Sequence, residues 1–231
     1  MKLKLHTLHE SPSRGRWPVH EPEIASVAWR IIPVLTLALL GWSPGVFASL
    51  APDQLARSTT DEVMQIVSQD KDIKAGNRGK IDRLVEAKIL PHFDFAAMAQ
   101  LAMGHNWSAA TPAQRQKIVG EFRTLLVRSY AGALSSVSRY KVEFKPLHMQ
   151  SGAVDVTVDS EVQRPGSPPL SIDYHMKKEG EGWKVYDVLV DHASLVTVYR
   201  SSFNSSVRQH GIDGLITALA NRNERNEGGG R

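Results

Sequence analysis

The chain has 231 residues, no cysteine, and 28 lysines and arginines against 24 aspartates and glutamates, a formal net charge of +4. The lack of cysteine excludes both disulfide staples and a lipidated N-terminal Cys. No dense basic stripe with interleaved aromatics follows residue 48, which argues against a nucleic-acid surface, while the mild positive excess favours brief encounters with anionic membrane surfaces.

The N-terminus reads as an export leader. Lys2, Lys4, Arg14, Arg16 and Arg30 precede an apolar run from Ile31 to Leu40, and Val46-Phe47-Ala48 places small residues where a signal peptidase reads. Cleavage after Ala48 is expected, with Ala51 as the alternative. A membrane anchor fits less well, because the run is about half of the roughly twenty residues that a spanning helix needs. Residues 1–48 carry five basic and three acidic groups, so 23 basic and 21 acidic residues remain after cleavage, a formal +2. The expected site of action is the periplasm.

The next stretch has a helical period. Leu55, Thr59, Val63, Ile66 and Val67 share one face, and Ile81, Leu84, Val85 and Ile89 share another, with Gly76 and Gly79 between them. Pro91 closes the second helix, and Asp94 is placed to cap a short third one that carries Phe95, Met98 and Leu101 and ends at Gly104. Thr111-Pro112-Ala113-Gln114 is a capping box with proline at the first helical position. It predicts a long helix to about Leu134, with Ile118, Phe122, Leu125, Leu126, Tyr130 and Leu134 on its apolar stripe.

At Arg139 the period changes to two. Tyr140, Val142 and Phe144, then Val154, Val156 and Val158, then Leu170, Ile172, Tyr174 and Met176 alternate with polar residues, as in antiparallel strands with one wet face. Gln150-Ser151-Gly152, Arg164 to Pro169 and Gly180-Glu181-Gly182 are the turns. A fourth strand, Trp183 to Asp191, has apolar residues on both sides and is predicted to be central. Ser194 then caps a helix bearing Leu195, Val196, Val198, Tyr199 and Phe203; Gly211 separates it from a last helix, and residues 221–231 read as a disordered, dispensable tail. The expected organisation is a leader over 1–48 and one domain over 49–220, helical over about 52–134, a sheet over about 139–191, and helices over about 194–220.

Trp183-Lys184-Val185-Tyr186-Asp187-Val188, Ser194-Leu195-Val196, Tyr199-Arg200-Ser201 with Phe203, and Gly211-Ile212-Asp213-Gly214-Leu215-Ile216 together resemble the MlaC-type periplasmic phospholipid-binding proteins, the toluene-tolerance auxiliary family. Pro91 to Met98 and the helix from Thr111 are similar too. Asp191-His192-Ala193 departs from the pattern, since His192 stands where the family has glycine. The resemblance implies an α+β fold: a curved antiparallel sheet of four or five strands, of the nuclear-transport-factor-like cone kind, packed with six or seven helices around a hydrophobic pocket. It also implies a monomeric, non-enzymatic carrier with no cofactor and a diacyl phospholipid as cargo. Such a carrier shuttles lipid between an outer-membrane lipoprotein complex and an inner-membrane ABC transporter complex, maintaining outer-membrane asymmetry.

Under that reading the tail-lining candidates are Phe93, Met98, Leu101, Phe122, Leu125, Leu126, Tyr130, Val142, Val156, Ile172, Tyr174, Val188, Leu195, Tyr199 and Phe203. Periodicity alone reads the same residues as core; apolar pockets share lining with core, so about half are expected to touch lipid. Two acyl tails hold about thirty methylenes, whose exposure to water costs roughly 24 kcal/mol. The tail path is therefore expected to hold no buried charge. Arg200, with Tyr186 beside it, is the candidate for the head group, its guanidinium fork matching phosphate oxygens or else pairing with a surface carboxylate.

Two other classes stay open at this level. An enzyme of cone-shaped fold would use Asp187 as acid or base, with Asp173 and His175 as further candidates, although alternation puts Asp173 and His175 on the wet face and no catalytic motif surrounds them. An adaptor would leave the core solid. Histidines 92, 105, 148, 175, 192 and 210 show no metal-ligand spacing.

Overall fold

The computed structural model describes residues 50–228; the expected leader lies outside them. Helix α1 (Pro52–Gln69) starts with proline in its first turn, and Asp70, where it stops, caps α2 (Lys71–Lys74) by accepting the N–H groups of Asp72 at 2.8 Å and Ile73 at 3.1 Å. Helix α3 (Arg78–Leu84) is capped by Asn77 and continues into a π-helical turn (Val85–Ile89) and a 3-10 turn (Leu90–His92). Pro91 has no N–H to give a regular helix. Asp94 caps α4 (Phe95–Met103) through Ala97 N–H at 2.9 Å, as the sequence predicts. After α5 (Asn106–Ala109), the capping box opens α6 (Pro112–Tyr130): Thr111 Oγ1 accepts from Gln114 N–H at 3.3 Å, and Gln114 Oε1 accepts from Thr111 N–H at 3.0 Å. Instead of running to Leu134 as α-helix, the chain tightens to a 3-10 helix over Ala131–Arg139, so the sheet begins only at Lys141.

The sheet is a five-stranded antiparallel meander in the order β1 (Lys141–Phe144), β2 (Asp155–Gln163), β3 (Leu170–Glu179), β4 (Gly182–Val190), β5 (Ala193–Ser194). With seven α-helical segments among the described residues, the fold is α+β with an open sheet, as expected. Two predictions about β4 are corrected. Met176 pairs with Val185 while His175 pairs with Asp187, so Tyr186 is the extra residue of a bulge. The bulge shifts the phase: Val185, opposite Met176, and Val188, opposite Tyr174, face the same side, and the two-sided pattern in the sequence is one apolar face interrupted. Nor is β4 central. Beyond it lies only the two-residue β5, and farther along Phe93 bridges Val185 while Asp94 N–H donates to the Val185 carbonyl at 2.9 Å, which shields the edge.

The β4–β5 hairpin holds the departure from the family pattern. Asp191 and His192 have φ of 47° and 67°, the double positive φ of a primed two-residue turn, reached here without glycine. Ser194 then caps the following helix through Thr197 N–H at 3.0 Å. The segment α7 (Leu195–Gly228) is two helices joined at Gly211, whose φ of 71° breaks the helical run; a Cβ on Gly214 would sit 2.3 Å from that of His210.

Helix α7 also overturns the tail reading. The helix continues past Asn221 to Gly228, and Asn223 is buried, its amide donating to the Glu121 carbonyl at 3.0 Å and to Glu121 Oε2 at 2.7 Å, while Arg128 donates to its carbonyl.

Three apolar clusters result. Helices α4, α6 and α7 interlock around Phe122, which meets Tyr199 and Phe203 edge-on at 5.1 and 5.2 Å. Helices α1 to α3 with the 3-10 run form a second cluster around Val67 and Ile81. The sheet carries the third, around Val158, Met176 and Trp183. Among the described residues no helix is long and apolar enough to cross a membrane.

Candidate functional site

Leu55 and Ala56 of α1 pack against the sheet cluster, but contact is incomplete, and a cavity of about 330 Å³ remains between α1 and the sheet. Leu55, Ala56, Thr59, Thr60, Val63 and Met64 supply one wall; at i, i+4 and i+8 spacing they form a strip of α1 about 14 Å long. Every second residue of β3 from Leu170 to Met176 supplies the facing floor, about 20 Å long. Val142, Val162 and Val185 widen the floor. The remaining walls are the irregular helices: Ile89 of the π turn, His92 and Phe93 at the 3-10 turn, and Ala133, Leu134 and Val137 of the longer 3-10 run. Runs of 3-10 helix beyond three or four residues are uncommon because their hydrogen bonds are poor. The part of the wall not supplied by α1 and the sheet is thus built from irregular helical turns.

Its few polar groups are held in uncharged or spatially confined forms. Burial pushes the Tyr174 phenol up to about 12, so it stays protonated on the cavity wall. Burial, reinforced by the nearby Lys184 ammonium, holds the His92 imidazole below its usual range and therefore neutral at neutral pH. Arg164, at the end of β2, also lines the cavity. The expectation of a wall without charge is corrected at that one place.

The predicted lining residues separate into four groups. Phe93, Val142, Ile172 and Tyr174 lie on the cavity wall. Met98, Phe122, Leu125, Leu126, Tyr199 and Phe203 are packed into the solid cluster of α4, α6 and α7, because two helices cover the α6 stripe. Val156, Val188 and Leu195 belong to the sheet cluster off the wall, and Leu101 and Tyr130 are exposed at 37% and 48%. The face of α1 was legible as a stripe, and Thr59 on it, polar yet inward, is the signal that could have marked it as bordering space rather than core.

The two head-group candidates stand elsewhere. Arg200 Nε donates to the Leu101 carbonyl at 2.9 Å, and the Tyr186 hydroxyl bonds both oxygens of Asp155, at 3.0 and 2.9 Å, on the other face of the sheet. The Tyr186 phenol is pushed up to about 12, by burial first and then by the Asp155 hydrogen bond and charge.

The acid–base candidates are also away from the cavity. Asp187 is buried and accepts from Ser194 Oγ at 2.5 Å, Val188 N–H at 2.9 Å and Val196 N–H at 3.2 Å, so it anchors the start of α7. Asp173, predicted to be wet, is only 7% exposed and accepts from Ser171 Oγ at 2.9 Å; the His175 ring lies 5.9 Å from that of Tyr186. Among the described residues no three His, Cys, Asp or Glu side chains are grouped to hold a metal.

The MlaC protein family model matches residues 57–221. The intermembrane phospholipid transport system binding protein MlaC of Haemophilus influenzae is 20% identical over 195 residues, covering 83% of this chain and 91% of that protein. The toluene tolerance protein ttg2D of Pseudomonas putida is 22% identical over 167 residues, covering 72% of this chain and 77% of that one. Among solved structures, the phospholipid-binding protein from Ralstonia solanacearum in complex with a phospholipid superimposes with a TM-score of 0.72 at 36% identity, covering 77% of this chain and 99% of that one.

Proposed function

This chain belongs to the MlaC family, and from that premise we propose that it is a periplasmic phospholipid carrier. It holds acyl chains in the α1–β3 cavity and moves lipid, as a monomer, between an outer-membrane lipoprotein complex and an inner-membrane ABC transporter complex, which maintains outer-membrane asymmetry. The relatives named above are named for binding and transport of phospholipid or for toluene tolerance.

One observation carries the reading. The floor of alternate β3 residues runs about 20 Å, and half of a hydrocarbon layer about 30 Å thick, the depth of one leaflet's tails, is about 15 Å. The floor is therefore at least as long as one tail. By the scale of a 150 Å³ cavity that takes benzene, 330 Å³ takes roughly a dozen carbons. That is most of one tail, and a second needs space beyond this volume. The carrier shields what a bilayer also shields, so extraction is near balance and the partners set direction.

Native mass spectrometry of the protein purified from a bacterial periplasm tests this. A co-purified diacyl phospholipid is the expected result. Protein that arrives empty and takes up no lipid from phospholipid vesicles overturns it.

A further inference from the structure

Resting on the carrier reading, we infer that Arg164 is the anion site of the cavity, holding the phosphodiester of the cargo at the Leu170 end so that the tail runs toward Met176 and Phe93. The Nε of Arg164 is buried and has no hydrogen-bond acceptor among the described residues. A buried guanidinium N–H without a partner is rare in native proteins and points to an acceptor outside the fold. The same side chain lines a cavity whose other walls are almost wholly apolar. An apolar trough with one cation at its end fits an amphiphile with an anionic head.

The local chain fixes the guanidinium in place. Val162 faces the cavity, and strand alternation brings residue 164 to the same side. Immediately beyond it the chain reverses, with the Ser167 N–H donating to the Arg164 carbonyl at 3.1 Å. Pro165 and Gly166, whose φ is 74°, take the central positions of a type II turn. Nη2 of Arg164 donates to the Pro168 carbonyl at 2.9 Å, which holds the plane of the head, while the Nε–H, closed off from solvent, is left without an acceptor until a ligand displaces what covers it. Arginine keeps its charge at every working pH and presents parallel donors that match phosphate oxygens. His92, by contrast, lies toward the Val185 end and is held neutral. Arg164 is thus the one Lys, Arg, Asp or Glu on the cavity wall among the described residues, and its place at the Leu170 end orients the cargo.

The test is competitive loading. The full chain is incubated with phosphatidylglycerol vesicles containing a minor fraction of diacylglycerol and of free fatty acid with the same tails, and the bound lipids are quantified. Wild type is expected to enrich the phospholipid over diacylglycerol at least about tenfold relative to the vesicles. Arg164→Gln is expected to bind as much tail-bearing lipid without that enrichment. Enrichment unchanged in Arg164→Gln, no enrichment in wild type, or selection of the fatty acid overturns the assignment. Wild type that takes up no lipid of any kind overturns the carrier reading and this assignment with it.

A second measurement covers a Gln variant that fails to fold. The Arg164 Nε–Hε resonance of the wild type, identified by its loss in Arg164→Lys, is expected to shift on loading with phosphatidylglycerol and to stay in place with diacylglycerol. The same shift produced by inorganic phosphate alone, or no shift with the phospholipid, overturns the assignment to a lipid head group.

Discussion

Phe93 and Val185 form a parallel β-bridge, and both side chains lie on the cavity wall. The bridge ties the 3-10 turn that ends the first helical segment to the edge of β4, so one contact both shields the sheet edge and closes the cavity at that end. None of the buried residues of the α4–α6–α7 cluster lies on the cavity wall.

That separation predicts opposite phenotypes. Ile172, on the cavity floor, replaced by Glu places a charge against the tail path and is expected to abolish lipid retention while far-ultraviolet circular dichroism stays native. Phe122→Ala empties a site buried between Tyr199 and Phe203 and is expected to cost about 3–5 kcal/mol in urea unfolding, with lipid still bound while the protein is folded. Lipid retained by Ile172→Glu would contradict the placement of the cavity.

Acid should weaken the fold through His92. Its imidazole titrates below 6.5 when folded because burial, and then Lys184, disfavour the cation. Between that lowered value and 6.5 the unfolded chain binds more protons than the folded one, so stability is full above 6.5 and is lost as the pH falls through that window. His92→Leu should flatten this part of the stability profile. An NMR titration of His92 with a midpoint at or above 6.5 would refute it.

The β4–β5 turn can be improved. His192 holds φ of 67° without glycine, at a cost of about 1 kcal/mol. His192→Gly creates the Asp-Gly pair that such turns prefer and is expected to raise unfolding stability by up to about 1 kcal/mol. The 3.7 Å approach of His192 Nδ1 to Asp173 is lost, but His192 is largely exposed and little stability goes with it. A fall in the denaturation midpoint would show that the contact matters more than the turn.

Ending the chain at Ala220 should not be neutral. The cut removes the buried Asn223 and its hydrogen bonds to Glu121 and from Arg128. The expected loss is about 1–3 kcal/mol, read as a lower melting temperature. An unchanged melting curve would restore the reading of a dispensable tail.

Much of the fold was legible because caps, turns and periods are local. Asp94, Ser194 and the pair Thr111 and Gln114 start helices where their side chains predict, since an N-cap needs only its own next three residues. Alternation and the turns between strands located the first four strands, but the two-residue β5, and with it the off-centre place of β4, was not legible. The bulge at Tyr186 was not legible, because which β4 residue is unpaired depends on the register with β3.

The site was only partly legible, for a related reason. Periodicity tells which way a side chain points and nothing about how far away the opposing element stands. The stripes of α6 and α1 look alike in sequence. Tertiary structure alone decided that α4, with the small Ala99 and Ala102, comes close enough to fill the α6 side, whereas the π and 3-10 walls hold α1 off β3 and leave the hollow between them.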